Sequence, residues 1–574
     1  MARKQPGDAA AVVGWTLTAA LPLAFLGVFF AWPVTALIIR GLSADPSGLT
    51  AGGLDLSGFG EVLSNPRTWR LVSNTLTQAV LGTAGAVIFG LPVAYLLFRT
   101  RFRGRAALRG LVTIPFVLPT VVVGAAFSAL FRADGALGWL GWEQTLWGVV
   151  TALVFFNVSV VVRTVGGLWE RLDPRAEQAA RALGASPTRA FFTVTLPNLA
   201  PAIASAAAVV FLFCATAFGV VLVLGGLGYN TIETEIYRRT TQFLDLRTAA
   251  VLSVLQLAVV AFALWGAAAA RRRRERALRL VTARISVRRW SGRRASDVVT
   301  AVATVLIVGG LIVLPLAGMA ARSLRDQSGA WTLANFRALG TTGGPRSGLL
   351  VTPLAALGQS LRTAALAATI AVVIGSLIAL LLSRRPRRRS GRRAIGALEA
   401  FVMLPLGVSA VTVGFGFLIT LDRPLGLHFD LRTSGLLIPI AQAVVATPLV
   451  VRTVLPVLRA IDPRLRQAAA VLGAPPNRVL RDVELPIALR PLGLAIGFAF
   501  AVSLGEFGAT AFLARPGDPT LPVVIFRLLG RPGAENFGMA LAASVLLATV
   551  TAAVMVLAET LRGERVSTVA GGEF

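Results

Sequence analysis

The sequence predicts an all-α membrane protein, and three observations carry that prediction. Of 574 residues, 55% are hydrophobic and only 14% charged, with a mean hydropathy of +0.74, where a soluble chain carries about 25% charged residues. The apolar residues fall in blocks long enough to cross a bilayer, which takes about 20 residues per helix. Arginine clusters close those blocks, at 99–109, 271–274 and 384–393. Lipid offers backbone polar groups no partner, so helices are the expected spanning element. The roughly ten-residue alternating segments of a β-barrel are absent. The net charge of +29 would suggest nucleic acid in a soluble chain. Here it follows the ends of apolar blocks, the positive-inside pattern, and no nucleic-acid partner is expected.

Twelve spans are expected, near 11–39, 71–98, 108–131, 145–168, 199–224, 247–270, 297–321, 359–383, 396–420, 433–456, 488–513 and 537–559. The first has a basic start but too long an apolar run for a signal peptide, and reads as an uncleaved helix. Connections after the even-numbered spans carry most of the arginines, which puts them and both termini in the cytoplasm.

The sequence also repeats. "VVRTV" at 161–165 returns at 450–454, and "DPR" at 173–175 returns at 462–464. Phe218, Thr231 and Tyr237 align with Phe507, Thr520 and Phe526 at the same offset of 289 residues. Upstream, Pro115 and Gly124 match Pro405 and Gly414 at an offset of 290. The expected organisation is a first half at 1–270, a basic cytoplasmic linker at 271–296 and a second half at 297–574. Each half holds six spans, an even number, so the repeat is parallel rather than inverted.

The best-repeated segment is polar and lies between spans four and five of each half. "EQAARALGASPTRAFFTVTLP" (177–197) and "RQAAAVLGAPPNRVLRDVELP" (466–486) are identical at 11 of 21 positions. Asp173 and Asp462 suit helix N-caps, with proline following. Gly184 and Gly473 suit the left-handed C-terminal position of a first short helix. Ser186-Pro187 and Pro475-Pro476 restart a second one. Leu196-Pro197 and Leu485-Pro486 are expected to stop it. Small residues (Ala179, Ala180, Ala468, Ala469) and one arginine each (Arg189, Arg478) suit docking into a partner's groove.

These loops resemble the EAA loop of permease subunits of ATP-binding cassette importers. The matching residues are Gln178, Ala179, Ala180, Gly184, Val194, Leu196 and Pro197, and again Gln467, Ala468, Ala469, Gly473, Val483, Leu485 and Pro486. In both copies glutamine stands where the family has an acidic residue; Glu177 lies beside it in the first, Arg466 in the second. The resemblance implies the type I importer permease fold. It also implies a coupling helix in each loop, two ATPase subunits as cytoplasmic partners, an extracytoplasmic solute-binding protein, and alternating access. ATP and Mg would be used by those partners, with no cofactor bound by this chain. The fused halves, "SLGEFG" and "TIETEIY" resemble ferric-iron and thiamine importers.

The residues that are missing agree. A phosphate-binding loop needs a lysine, and Lys4, the only one, is in no glycine-rich loop. One cysteine (Cys214) and one histidine (His428) leave no metal site and no nucleophile–base pair. Glu506, inside an expected span, is a candidate pathway carboxylate for a cationic solute, or else a partner of an arginine or a cap on a helix broken near Gly505 and Gly508. Ala217 holds its place in the first half. The competing class, an ion-coupled secondary transporter, predicts several buried acids and inverted repeats.

Overall fold

The computed structural model describes residues 18–42, 55, 57–274, 288–290, 295–384, 389–422, 424 and 430–562. The termini, Lys4, His428 and most of the 271–296 linker lie outside these residues. The regular structure is helical. Among the described residues two small exceptions are a two-residue parallel ladder, Thr100–Arg101 on Arg288–Arg289, and a lone bridge between Arg325 and Trp331.

Nine described helices are long and apolar enough to cross a membrane: Thr18–Gly41, Pro66–Arg99, Leu146–Trp169, Pro187–Ala215, Leu246–Ala263, Asp297–Ser323, Pro353–Ser383, Leu437–Ala460 and Ala534–Ala558. Three bent pairs bring the number to as many as twelve. Spans three and nine, expected as continuous helices, are two of those pairs. Arg105–Val117 meets Thr120–Phe131 at 104°, and Arg389–Gly407 meets Ala410–Thr420 at 96°. At the first break, Leu118 precedes a proline and is extended (ψ 140°), and Pro119 carries the extension on (ψ 138°). At the second, Ser409 is extended and its hydroxyl accepts from Val411 N at 3.0 Å, starting a new helix. Hydropathy averages across both breaks and registers neither.

A second departure concerns Leu196-Pro197 and Leu485-Pro486. They do not stop the loop helices. In the first half, helix runs unbroken from Pro187 to Ala215. Before each proline the chain widens into a π turn, Phe191–Thr195 or Leu480–Glu484, in which the next N–H reaches back five residues. Proline has no N–H to lose, and the wide turn spares its ring the usual collision with a carbonyl four residues back. The same device precedes Trp32-Pro33 and Leu314-Pro315 in the first span of each half.

The helices divide into two compact units. One comprises Met1–Leu56, Arg337–Arg531 and Leu546–Phe574; the other comprises Ser57–Phe336 and Pro532–Val545. Each unit therefore takes its first span from the opposite half of the sequence. In the former unit, Phe29 and Phe30 of the chain's first span pack on Phe417 and Phe401, with ring centroids 6.2 and 6.3 Å apart. In the latter, Arg322, closing Asp297–Ser323, bonds Asp134 and donates to Ala129 O at 3.2 Å.

Spans two and four form the packed centre of each unit. A Cβ on Gly90 would lie 2.8 Å from Val161 Cγ1, and one on Gly375 would lie 2.8 Å from Val450 Cβ. Only glycine permits that approach. Valines 161 and 450 keep the offset of 289, whereas Gly90 and Gly375 set the second spans at 285.

Candidate functional site

The two repeated loops have one backbone design. Asp173 Oδ1 accepts from Arg175 N, and Asp462 Oδ1 from Arg464 N, each at 2.9 Å. The short helices Arg175–Ala182 and Pro463–Val471 follow. Gly184 (φ +88°) and Gly473 (φ +79°) then end them in the left-handed region. Ala185 N donates to Ala180 O at 3.1 Å and Gly184 N to Arg181 O at 3.0 Å; Ala474 N to Ala469 O and Gly473 N to Ala470 O repeat the pattern at 3.0 Å. That pair of bonds is a Schellman turn, which satisfies the last carbonyls of the helix and favours glycine. Ser186 Oγ caps the next short helix by accepting from Arg189 N at 3.2 Å.

Neither Arg175–Ala182 nor Pro463–Val471 contains a buried residue. Gln178, Ala179, Gln467 and Ala468 are exposed, and Ala180 and Ala469 are half-buried. Arg189 and Arg478 are exposed, the latter 3.5 Å from Asp482. Val194 and Val483 turn partly inward, and Pro197 and Pro486 face out. Leu196 is half-buried where Leu485 is exposed. At the tips, Leu183 is 90% exposed and Leu472 87%. A Cβ on either tip glycine would meet nothing within 4 Å. Each loop thus projects an exposed apolar tip on a rigid turn, the shape of a knob.

Glu506 lies where the fifth span of the second half breaks off, after Leu485–Gly505. It is 7% exposed. Its Oε1 accepts from Ala509 N at 2.7 Å, and its Oε2 from Thr510 N at 3.1 Å and Thr510 Oγ1 at 2.6 Å. The carboxylate thereby caps the short helix Thr510–Leu513. The first half solves the same break from the other side. Gln78 Nε2 donates to Cys214 O at 2.8 Å and Gln256 Nε2 to Ala215 O at 3.0 Å, satisfying the carbonyls that end Leu196–Ala215. Beyond the break the halves agree again: Phe218 on Tyr237 and Phe507 on Phe526 both have ring centroids 5.3 Å apart.

Residues 86–275 and 371–562 each match the family described as binding-protein-dependent transport system inner membrane component. The chain belongs to this family. Among relatives of this permease, the thiamine transport system permease protein ThiP of Escherichia coli (strain K12) is 29% identical over 479 residues, 80% of this chain and 84% of that protein. ThiP of Brucella suis biovar 1 (strain 1330) is 26% identical over 555 residues, 93% of this chain and 96% of that protein. The sulfate transport system permease protein CysT of Escherichia coli (strain K12) is 32% identical over 251 residues, 42% of this chain and 87% of that protein.

Each family match encloses one loop, so the permease carries the loop twice, once in each compact unit. The exposed leucines at the tips were not among the residues singled out from the sequence. Their signal was present: leucine directly precedes the helix-ending glycine in both copies, where a buried helix end would hide it and a free one cannot.

Proposed function

We propose that this permease is the membrane pathway of an ATP-driven importer and that its solute is thiamine. The observation that carries the importer reading is the pair of exposed, apolar-tipped loops on matching Schellman turns. Motor subunits without a counterpart in this chain would seat them, one ATPase per loop, on the cytoplasmic side. In this reading residues 1–270 and 297–574 are the fused halves, 271–296 the link between them, and a solute-binding protein delivers from the far side. ATP binding draws the loops together and turns the pathway outward; hydrolysis releases them. Relatives named for thiamine span nearly the whole chain, which supports thiamine over the ferric iron also expected from the sequence. No relative described above supports iron.

The test is reconstitution of the permease in liposomes with its cognate ATPase and binding protein. Thiamine accumulation that requires ATP on the loop side supports the proposal. Accumulation of sulfate or ferric iron instead would replace the solute. Uptake driven by a proton or sodium gradient without the ATPase would overturn the importer reading. Glu506→Gln keeps the size of the side chain and one of its two acceptor oxygens while removing the charge. Thiamine uptake falling several-fold, with the ATPase still assembled, is the outcome expected if the carboxylate also meets the cation; unchanged uptake would leave it a cap alone.

A further inference from the structure

The bases of the two loops are tied at the same positions with the charges redistributed. The offset of 285 set by Gly90 and Gly375 makes Arg384 the counterpart of Arg99, and Leu382 that of Leu97. In the first half, Glu177 on the loop helix accepts from Thr195 Oγ1 at 3.2 Å and lies 3.9 Å from Arg99 Nη2. In the second half, the counterparts of Glu177 and Thr195 are Arg466 and Glu484, again 18 residues apart. The carboxylate has changed places. Glu484 Oε1 and Oε2 accept from Arg384 Nη1 and Nη2 at 2.9 and 3.0 Å, and Oε1 accepts from Arg466 Nε at 2.7 Å. Arg466 Nη2 also reaches Leu458 O, near the end of the fourth span, at 3.4 Å.

A second tie is reversed outright. Arg109 lies 3.7 Å from Glu170, at the end of the fourth span, and donates to Leu97 O at 3.0 Å. Arg105 supports it, 3.3 Å from Glu170. At the local offsets of 290 and 289, the counterparts are Glu399 and Arg459. Arg459 Nη2 donates to Glu399 Oε2 at 2.8 Å and to Leu382 O at 3.4 Å. Arginine has moved to the other partner and still reaches the same carbonyl.

One contact moves its carboxylate from the loop helix to the start of span five against the same span-two arginine, and the other exchanges acid for base outright; both contacts persist although the residue supplying each charge does not. They join the loop helix, the ends of spans two and four and the starts of spans three and five. We propose that these ties are the joint through which each coupling loop moves its spans, with Glu484 and Glu177 as positioning residues. The joints differ in strength. The Glu484 side chain is 1% exposed and gripped by two guanidiniums, whereas Glu177 is 35% exposed and only 3.9 Å from one. The second joint is the stiffer. This proposal rests on the importer reading.

The test installs the first-half arrangement in the second half: Arg466→Glu with Glu484→Thr, beside each single change, in the full complex. The readout is ATP hydrolysed per thiamine accumulated. Each single change leaves unbalanced charge at a buried site, and the ratio should rise about tenfold with the ATPase still co-purifying. The double variant should return to within about twofold of the parent, since it recreates a working joint. Single variants with a normal ratio would overturn the proposal. So would singles that lower only the unfolding temperature, or an intact double variant as uncoupled as either single. A parent complex that hydrolyses no ATP would overturn the importer reading instead, and is seen before any variant is made.

Discussion

The first and second loops share a backbone almost residue for residue, yet differ in the charges beneath them. Aspartate cap, left-handed glycine, Schellman bonds and π turn recur in both. The buried carboxylate at the base of the second has no buried counterpart in the first. Turn geometry is dictated residue by residue, by which side chains tolerate a given φ or lack an N–H. An ion pair asks only for opposite signs across a gap, and either side can supply either sign.

The comparison can be broken most forcefully at the base. Glu484→Ala strands two arginines and should cost about 3–5 kcal/mol, whereas Glu177→Ala, at a half-exposed and looser pair, should cost under about 1 kcal/mol. Thermal unfolding in detergent measures both, and equal losses would erase the distinction. The tips should respond alike: Gly184→Val and Gly473→Val each force a β-branched residue to positive φ at about 2 kcal/mol. Transport should fall about tenfold or more in each while insertion into the membrane persists. Asp173→Ala and Asp462→Ala should be the mildest matched pair, each losing a cap of about 1 kcal/mol. Protease nicking at the loops would report them. A several-fold difference between the two caps would mean the backbones are less equivalent than their hydrogen bonds. Cys214, the sole cysteine and fully buried, lets a thiol-reactive dye follow unfolding of its unit without engineering.

Much of this was legible in the sequence. The span count, the position of the loops and the roles of Asp173, Gly184 and their second-half counterparts follow from hydropathy and local turn chemistry. The 104° and 96° bends did not, because hydropathy carries no direction, although Leu118-Pro119 marked one of them. Grouping of each first span with the opposite half was invisible to a repeat search that began downstream. The redistributed ties escaped because the offset is 285 in span two, 290 in span three and 289 from span four on. A comparison held at 289 sets neither Arg99 against Arg384 nor Arg109 against Glu399. Glu506 was legible as an anomaly, and its cap geometry could be read only from the backbone around it.

The π turn below the fifth span of the first half leaves a mark in the spacing of its buried residues. Ala190, Thr195, Leu199, Ala206, Val210 and Cys214 form one stripe, and the first step is five residues where an α-helix would take three or four. Glu484, Ala488, Ala495, Ala499 and Ser503 continue the same stripe in the second half. The additional residue rotates everything below it by about 100° about the helix axis. It works as a fixed gear setting: the span keeps its packed face while the loop beneath is aimed independently. Deleting one residue from Phe191–Thr195 should leave the fifth span folded and swing the knob out of reach of whatever receives it.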